Sequence, residues 1–191
     1  MPSLILASTS RYRQELLARL RLPFEAVAPG VDEAALPGEA PAALAERLAL
    51  AKARAVAARY PGAVVIGSDQ VADLDGTALG KPGTHAAAQA QLRCMSGREV
   101  VFQTAVAVVA PGLAAIERAE VRVHVRELSG TAIDAYLRAD TPYDCAGSAK
   151  VESLGIALLD AVESDDPTAL VGLPLIRTCA LLRRAGLEPL A

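Results

Sequence analysis

A run of small and polar residues, Gly67-Ser68-Asp69-Gln70-Val71, follows the β-branched stretch Val64-Val65-Ile66, and Gly80-Lys81-Pro82 comes a short loop later. The β-branched run is too short for a helix of its own. It reads as a buried strand that Gly67 brings to an end. In an α/β sheet, ligands meet the protein at the carboxyl ends of strands. An acid just past such an end, with a lysine close behind, suits chemistry on a charged substrate. An aspartate there can equally cap or turn the chain, and the stretch alone leaves both roles open for Asp69.

Other residues point to the same kind of substrate. Of the 19 basic residues only three are lysines, Lys52, Lys81 and Lys150. A chain that otherwise relies on arginine marks its lysines as sites wanting a compact ammonium, although drift would leave the same count. Near the N-terminus, the strand Leu4-Ile5-Leu6-Ala7 meets Ser8-Thr9-Ser10, with Arg11 and Arg13 in the first turn of a helix. Backbone N–H groups, the helix dipole and a guanidinium converge there, which is a recipe for holding phosphate. Thr9 and Ser10 read mainly as caps, whereas Ser8 and Arg13 read as ligand-facing. Asp32 and Glu33 leave a turn together; they suit a solvated loop, and equally a magnesium site completed by water.

The elements that must position these residues follow from periodicity and breakers. Helices are expected over 11–21, capped by Ser10, over 42–60, and from Thr84 to about Met95. Lys52 stands beside the apolar stripe of the second helix, where a long stem could carry its ammonium into a cleft or simply stay on the surface. Further helices are expected over 131–138, capped by Ser129, and from Leu170 onward with Pro174 early in it. Strands are expected at 24–28, at 71–74 before an Asp75-Gly76 hairpin turn, and at 155–161. The valine-rich runs 100–110 and 116–128 form an antiparallel pair, the second with Val121, Val123 and Val125 inward. The whole is an α/β chain with a mixed sheet.

At 191 residues and net charge −3, the chain is long enough for a sizeable core and carries no electrostatic footprint for a nucleic-acid duplex or a membrane surface. No apolar run approaches the roughly 20 residues that span a bilayer. The N-terminus lacks the basic region of a signal peptide. Cys94, Cys145 and Cys179 are odd in number and widely spaced, which suits a reducing, cytoplasmic setting. His85 and His124 have no ligand partners nearby in sequence, and a zinc site is not expected.

Taken together, Leu6-Ala7-Ser8-Thr9-Ser10 with Arg13, Val31-Asp32-Glu33, Lys52, Gly67-Ser68-Asp69-Gln70-Val71, Gly80-Lys81-Pro82, Met95-Ser96-Gly97 and Gly172-Leu173-Pro174-Leu175 resemble the Maf family, in order and over nearly the whole chain. The resemblance implies a nucleoside triphosphate pyrophosphatase that releases a nucleoside monophosphate and pyrophosphate with a divalent metal cation, Mg²⁺ or Mn²⁺. It also implies a single domain over 1–191, akin to the inosine triphosphate pyrophosphatases. In that fold an elongated mixed sheet flanked by helices forms two lobes with a central cleft, often as a homodimer.

Within the family, the branch acting on dTTP and UTP carries a threonine after the catalytic aspartate, an Asp-Lys-Ala-Gly loop and a later glutamine. This chain has Gln70, then Asp144-Cys145-Ala146-Gly147-Ser148, then Glu152. It is similar to the branch described as 7-methyl-GTP pyrophosphatases. The resemblance ties base choice to Tyr12, Gln70 and Glu152, with tyrosine where that branch often has tryptophan. The chemistry agrees: a carboxylate accepts both N–H donors of the guanine edge, worth on the order of 1–3 kcal/mol, and an aromatic face attracts a cationic methylated ring. The expected mechanism has Asp69 orienting and deprotonating water, directly or as a metal ligand, and Glu33 helping to hold the metal. Arg13, Lys52, Lys81 and Ser8 grip the triphosphate. The rival expectations are dTTP, UTP or other non-standard nucleotides as substrate, and a nucleotide-binding regulator of septum formation.

Overall fold

In the computed structural model, which describes residues 2–190, the two valine-rich runs become the longest strands of one mixed sheet. They are β5 (Glu99–Ala110) and β6 (Leu113–Val125), antiparallel, with Ala110 opposite Leu113 across the turn at Pro111-Gly112. Val121, Val123 and Val125 are buried while Arg122 between them is exposed, the period-two pattern of a half-buried strand. The other strands are β1 (Leu4–Leu6), β2 (Phe24–Ala26), β3 (Val64–Leu74), β4 (Thr77–Leu79) and β7 (Leu159–Ser164). The order across the sheet is β2-β1-β3-β5-β6-β7, with β4 also on β3. β1 runs parallel to both its neighbours and every other pairing is antiparallel.

Five helices flank this sheet: α1 (Arg11–Ala18), α2 (Pro41–Ala57), α3 (His85–Met95), α4 (Gly130–Asp140) and α5 (Leu175–Arg184). α2 covers one face, packing Leu44, Leu48, Ala49, Ala53 and Val56 on Ile5, Val65, Val71, Ala105 and Ala107. α1 and α5 cover the other, with Leu16, Leu17, Leu181 and Leu182 on Leu4, Leu6, Val64, Ile66 and Val106. α3 and α4 pack on each other through Leu92, Ile133 and Leu137. No helix among the described residues is long and apolar enough to cross a membrane.

Several expected boundaries move, each for a local reason. Gly67 does not end its strand: β3 runs straight through it for 11 residues, and Val65 to Asp73 all pair with β5. Asp69 therefore sits mid-strand rather than beyond a strand end. Gly67 serves close approach instead, since a Cβ there would lie 2.2 Å from the Ala49 carbonyl oxygen of α2. Both α1 and α2 stop about three residues early, as i→i−3 bonds such as Leu20 N–H to Leu17 C=O and Tyr60 N–H to Ala57 C=O tighten the last turn. β2 is shorter than the expected 24–28, and β6 starts and ends three residues earlier than 116–128.

The segment 155–161 is not one strand. A 3₁₀ turn (Leu154–Leu158) comes first because Gly155 folds back against Lys150, donating its N–H to the Lys150 carbonyl at 3.0 Å. The last helix does not begin at Leu170. A 3₁₀ turn (Ala169–Val171) breaks at Gly172, whose φ of 119° is left-handed, and Pro174 caps α5 rather than lying inside it.

Candidate active site

Alternation along β3 sends neighbouring side chains to opposite faces. Val65, Asp69 and Val71 point toward α2, whereas Ser68 and Gln70 point toward the 168–173 segment. From α2, Lys52 reaches across to Asp69, its stem buried and its side chain only 5% exposed. Its Nζ lies 2.6 Å from Asp69 Oδ1 and 2.6 Å from Glu33 Oε1. The surface alternative for Lys52 is thereby excluded. An aspartate this deep in a sheet is tolerable because a full opposite charge sits on it. Of the two adjacent acids, Asp32 serves the turn, accepting from Ala34 N–H at 3.0 Å, and Glu33 turns inward to Lys52. Desolvation pushes the Glu33 carboxyl up, but the hydrogen bond and charge of Lys52, with Lys81 and Arg13 behind, outweigh it and hold Glu33 below its ordinary value.

Ser10 caps α1 as expected, accepting from Arg13 N–H at 3.5 Å, and buried Ser8 accepts from Ser10 N–H at 3.1 Å. Ser8 thus shapes the turn whose first helical N–H groups remain for a ligand. Arg13 is aimed by a distant contact: its Nε donates to the Gly172 carbonyl at 2.8 Å, an oxygen that also accepts from Ser68 Oγ at 3.0 Å. Burial lowers the Arg13 pKa, while Asp69 and Glu33 oppose the shift. Two basic residues at a helix N-terminus work against the dipole; a bound anion would resolve that.

The nine residues given a role in the expected mechanism and base choice, Ser8, Tyr12, Arg13, Glu33, Lys52, Asp69, Gln70, Lys81 and Glu152, line one cavity of about 950 Å³, and Asp32, offered beside Glu33 for a metal, does not. Arg13, Glu33, Lys52, Asp69 and Lys81 form one charge-coupled wall of it, and Tyr12 and Glu152 stand together on a second wall beside Arg11 and Lys150. In the second wall the Arg11 guanidinium stands 5.1 Å from the Tyr12 ring centre, and Tyr12 raises the pKa of the Lys150 ammonium. Glu152 is held above its ordinary value, mainly by desolvation and further by Asp140 and Asp144, against the opposing pull of Lys150. The Gln70 amide nitrogen donates toward Thr104 Oγ1, Ala169 O and Leu170 O, all within 3.0 Å. Only its oxygen is left for a ligand.

Sequence reasoning missed the residues that hold the Gly172 turn. Asp166 is fully buried. Its carboxylate accepts from Thr168 Oγ1 at 3.0 Å and from Arg177 N–H at 3.2 Å, and Thr168 Oγ1 also lies 2.8 Å from both Leu173 O and Leu175 N. This knot fixes the carbonyls that orient Arg13 and Gln70. The run Asp165-Asp166-Pro167-Thr168 carries turn chemistry, but nothing in it names a distant arginine.

The donor set can be tested against a divalent cation. Glu33 and Asp69 converge on one positive centre, the Lys52 ammonium, and both offer hard oxygen ligands. No cluster of three or more His, Cys, Asp or Glu side chains suited to a metal occurs among the described residues. Two carboxylates with water and phosphate oxygens completing the shell match Mg²⁺ or Mn²⁺ and not a metal that needs an all-protein cage.

A family model described as Maf-like protein matches residues 3–185. A protein from Albidiferax ferrireducens named 7-methyl-GTP pyrophosphatase is 66% identical over 189 residues, covering 98% of this chain and 95% of that protein. Proteins of the same name from a Polaromonas species and from Bordetella pertussis are 66% and 60% identical, covering 96% and 99% of this chain and 84% and 95% of their own lengths. Among solved structures, a HAM1 protein from Coxiella burnetii aligns with a TM-score of 0.48 and 18% identity over 65% of this chain and 73% of that one.

Proposed function

The chain belongs to the Maf-like protein family, and from that premise we propose that it hydrolyses the α–β phosphate bond of 7-methyl-GTP, giving 7-methyl-GMP and pyrophosphate. The observation that carries the reading is Lys52, buried and pinned 2.6 Å from both Asp69 and Glu33 in a cavity that Arg13, Ser8 and Lys81 also line. A neutral ligand gives no reason to bury that much charge, whereas a triphosphate does. Near-full-length relatives named 7-methyl-GTP pyrophosphatase supply the substrate.

In this mechanism Asp69 has one oxygen committed to Lys52 and uses the other to orient a water and accept its proton. The water oxygen forms a bond to the α-phosphorus. The bond from that phosphorus to the bridging oxygen breaks, and pyrophosphate leaves with the electron pair. Arg13, Lys52 and Lys81 balance the charge that builds on the phosphate oxygens. Glu33 and Asp69 would hold Mg²⁺ or Mn²⁺, which when bound supplies Lewis-acid neutralisation of the same charge. On the other wall, Glu152 accepts from the guanine edge, Tyr12 stacks on the cationic ring, and the Gln70 oxygen completes the base contacts. The homodimer and the cytoplasmic setting belong to this proposal, and light scattering tests the former.

The test is side-by-side turnover of 7-methyl-GTP, GTP, dTTP and UTP with Mg²⁺, following pyrophosphate and monophosphate together. 7-Methyl-GTP is expected to lead. Asp69→Asn keeps the shape and the oxygen facing Lys52, and is expected to slow release by about 10²–10⁴-fold. Parental turnover by that variant, or tight binding without any release, would overturn the reading, and the second outcome would favour a nucleotide-binding regulator.

A further inference from the structure

The two walls of the cavity are joined by a residue that neither of them contains. Gln91 lies on the inner half of α3, and its amide is used at both ends. Nε2 donates to the Gly80 carbonyl at 3.0 Å, and Oε1 accepts from Ser148 Oγ at 2.6 Å. Gly80 immediately precedes Lys81, which is exposed and reaches the cavity from this segment. Ser148 begins the stretch that leads to Lys150 and Glu152. One amide thus bridges the backbone that presents a phosphate-gripping lysine and the loop that presents the base-facing carboxylate.

The two ends differ in rigidity in a way that gives the bridge a direction. Gly147 and Ser148 are successive left-handed residues, at φ 65° and 56°, which for a serine is a costly conformation held only by its surroundings. Tyr136, buried on α4, supplies that hold: its hydroxyl donates to Ser148 O at 3.1 Å and accepts from Lys150 N–H at 3.0 Å. The Gly80–Gly83 segment, in contrast, lies past the end of the short strand β4. Among the described residues its hydrogen bonds beyond β4 are the one to Gln91 and Gly83 N–H to Tyr143 O at 3.0 Å. Lys81 is thus held from α3, through Gln91, and from Tyr143, and both supports touch the 143–148 loop.

We propose that Gln91 is a positioning residue that couples base recognition to the triphosphate grip, so that a correct base seated against the 147–152 loop, which Tyr136 holds, places Lys81 for the reaction. Selectivity then resides in turnover as well as in binding. The inference rests on the pyrophosphatase reading above for its substrates, while the tie itself is a feature of the protein without nucleotide.

The experiment measures what Lys81→Ala costs in kcat/KM with 7-methyl-GTP and with GTP, in the parent and in Gln91→Leu. In the parent, the loss with 7-methyl-GTP is expected to exceed that with GTP by about tenfold, within the usual range of coupling between sites. In Gln91→Leu the two losses become equal. A merely structural role for Gln91 would lower both activities and leave that difference intact, and this outcome, or equal losses already in the parent, would overturn the proposal. Hydrogen exchange with 7-methyl-GTP and chelator reads the same coupling without turnover. Nucleotide is expected to protect Gly80–Gly83 in the parent and not in Gln91→Leu; protection in both, or in neither, would overturn the tie. A parent that binds without hydrolysing removes the pyrophosphatase reading and leaves the exchange result to decide this one.

Discussion

Glu33 and Glu152 stand in the same cavity and are driven in opposite directions. Lys52 outweighs desolvation at Glu33 and holds its carboxyl below the ordinary value; desolvation holds Glu152 above it. As pH falls from neutral, Glu152 takes up its proton first. Protonation removes the charge that balances a cationic base and turns an acceptor oxygen into a hydroxyl. Selectivity for 7-methyl-GTP over GTP is therefore expected to fall at pH values above the ordinary glutamate pKa of about 4.3, while Glu33 stays ionised to lower pH. The ratio of kcat/KM for the two substrates, taken from about pH 8 to about pH 5, checks this, and Glu152→Gln should flatten it. A ratio that stays constant in the parent would refute the assignment of Glu152. At this scale the sequence was largely legible: the side chains given a role in the expected mechanism line the cavity, and of the paired acids only Asp32 stays outside it. It was silent on Thr104, Asp166 and Thr168, because their partners are carbonyls and amides whose positions depend on the folded backbone.

An element owes its place here to small residues at contact points. α2 approaches β3 at Gly67 so closely that a Cβ would meet Ala49 O at 2.2 Å and Ala53 N at 2.6 Å, backbone atoms that have no side chain to yield. Gly67→Ala is expected to destabilise by about 1–3 kcal/mol through overpacking, lowering Tm by about 2–4 °C for each kcal/mol. Since Lys52 rides on α2, activity should fall along with stability; calorimetry and turnover on the same sample decide. The 168–173 turn makes the complementary case. Thr168→Val keeps the volume but leaves the Asp166 carboxylate and the Leu175 N–H without the hydroxyl, at a cost of about 1–3 kcal/mol. It should raise KM more than it lowers kcat if the Gly172 carbonyl serves mainly to aim Arg13 at bound phosphate. An unchanged KM would show that Arg13 holds its direction without the turn. Helix caps at Ser10, Thr84 and Ser129 were readable because a cap is local. The 3₁₀ turn at 154–158 and the break at Gly172 were not, since each is imposed by contacts with distant or newly folded chain.

For the molecule as a whole, the cavity draws on residues from Ala7 to Gly172, so a ligand that fills it ties together α1, α2, β3 and the 144–152 loop. An α,β-methylene analogue of 7-methyl-GTP with Mg²⁺, at about 100 times its Kd, should stabilise the fold by about 2.7 kcal/mol. That is a rise in Tm of about 5–10 °C, and chelation should remove most of it. The part of the shift that survives chelation measures what Arg13, Lys52 and Lys81 contribute to binding, and the part that is lost measures the metal's contribution. What the sequence determined by itself is the available chemistry, because residue type and short-range spacing fix which charges are available. Scarce lysines, a hydroxyl-rich turn before a helix, paired acids and a polar stretch after a valine run point toward an anionic, phosphate-like ligand, and the family resemblance narrows that to a nucleotide. Only the tertiary structure decided how those charges meet. Strand β3 continues through Gly67, so Asp69 lies mid-strand against buried Lys52, and Gln70 beside it points to the opposite face. The reason is that a strand's course and the side each residue faces are set by pairing with β5 and by the approach of α2, long-range contacts that no local pattern encodes.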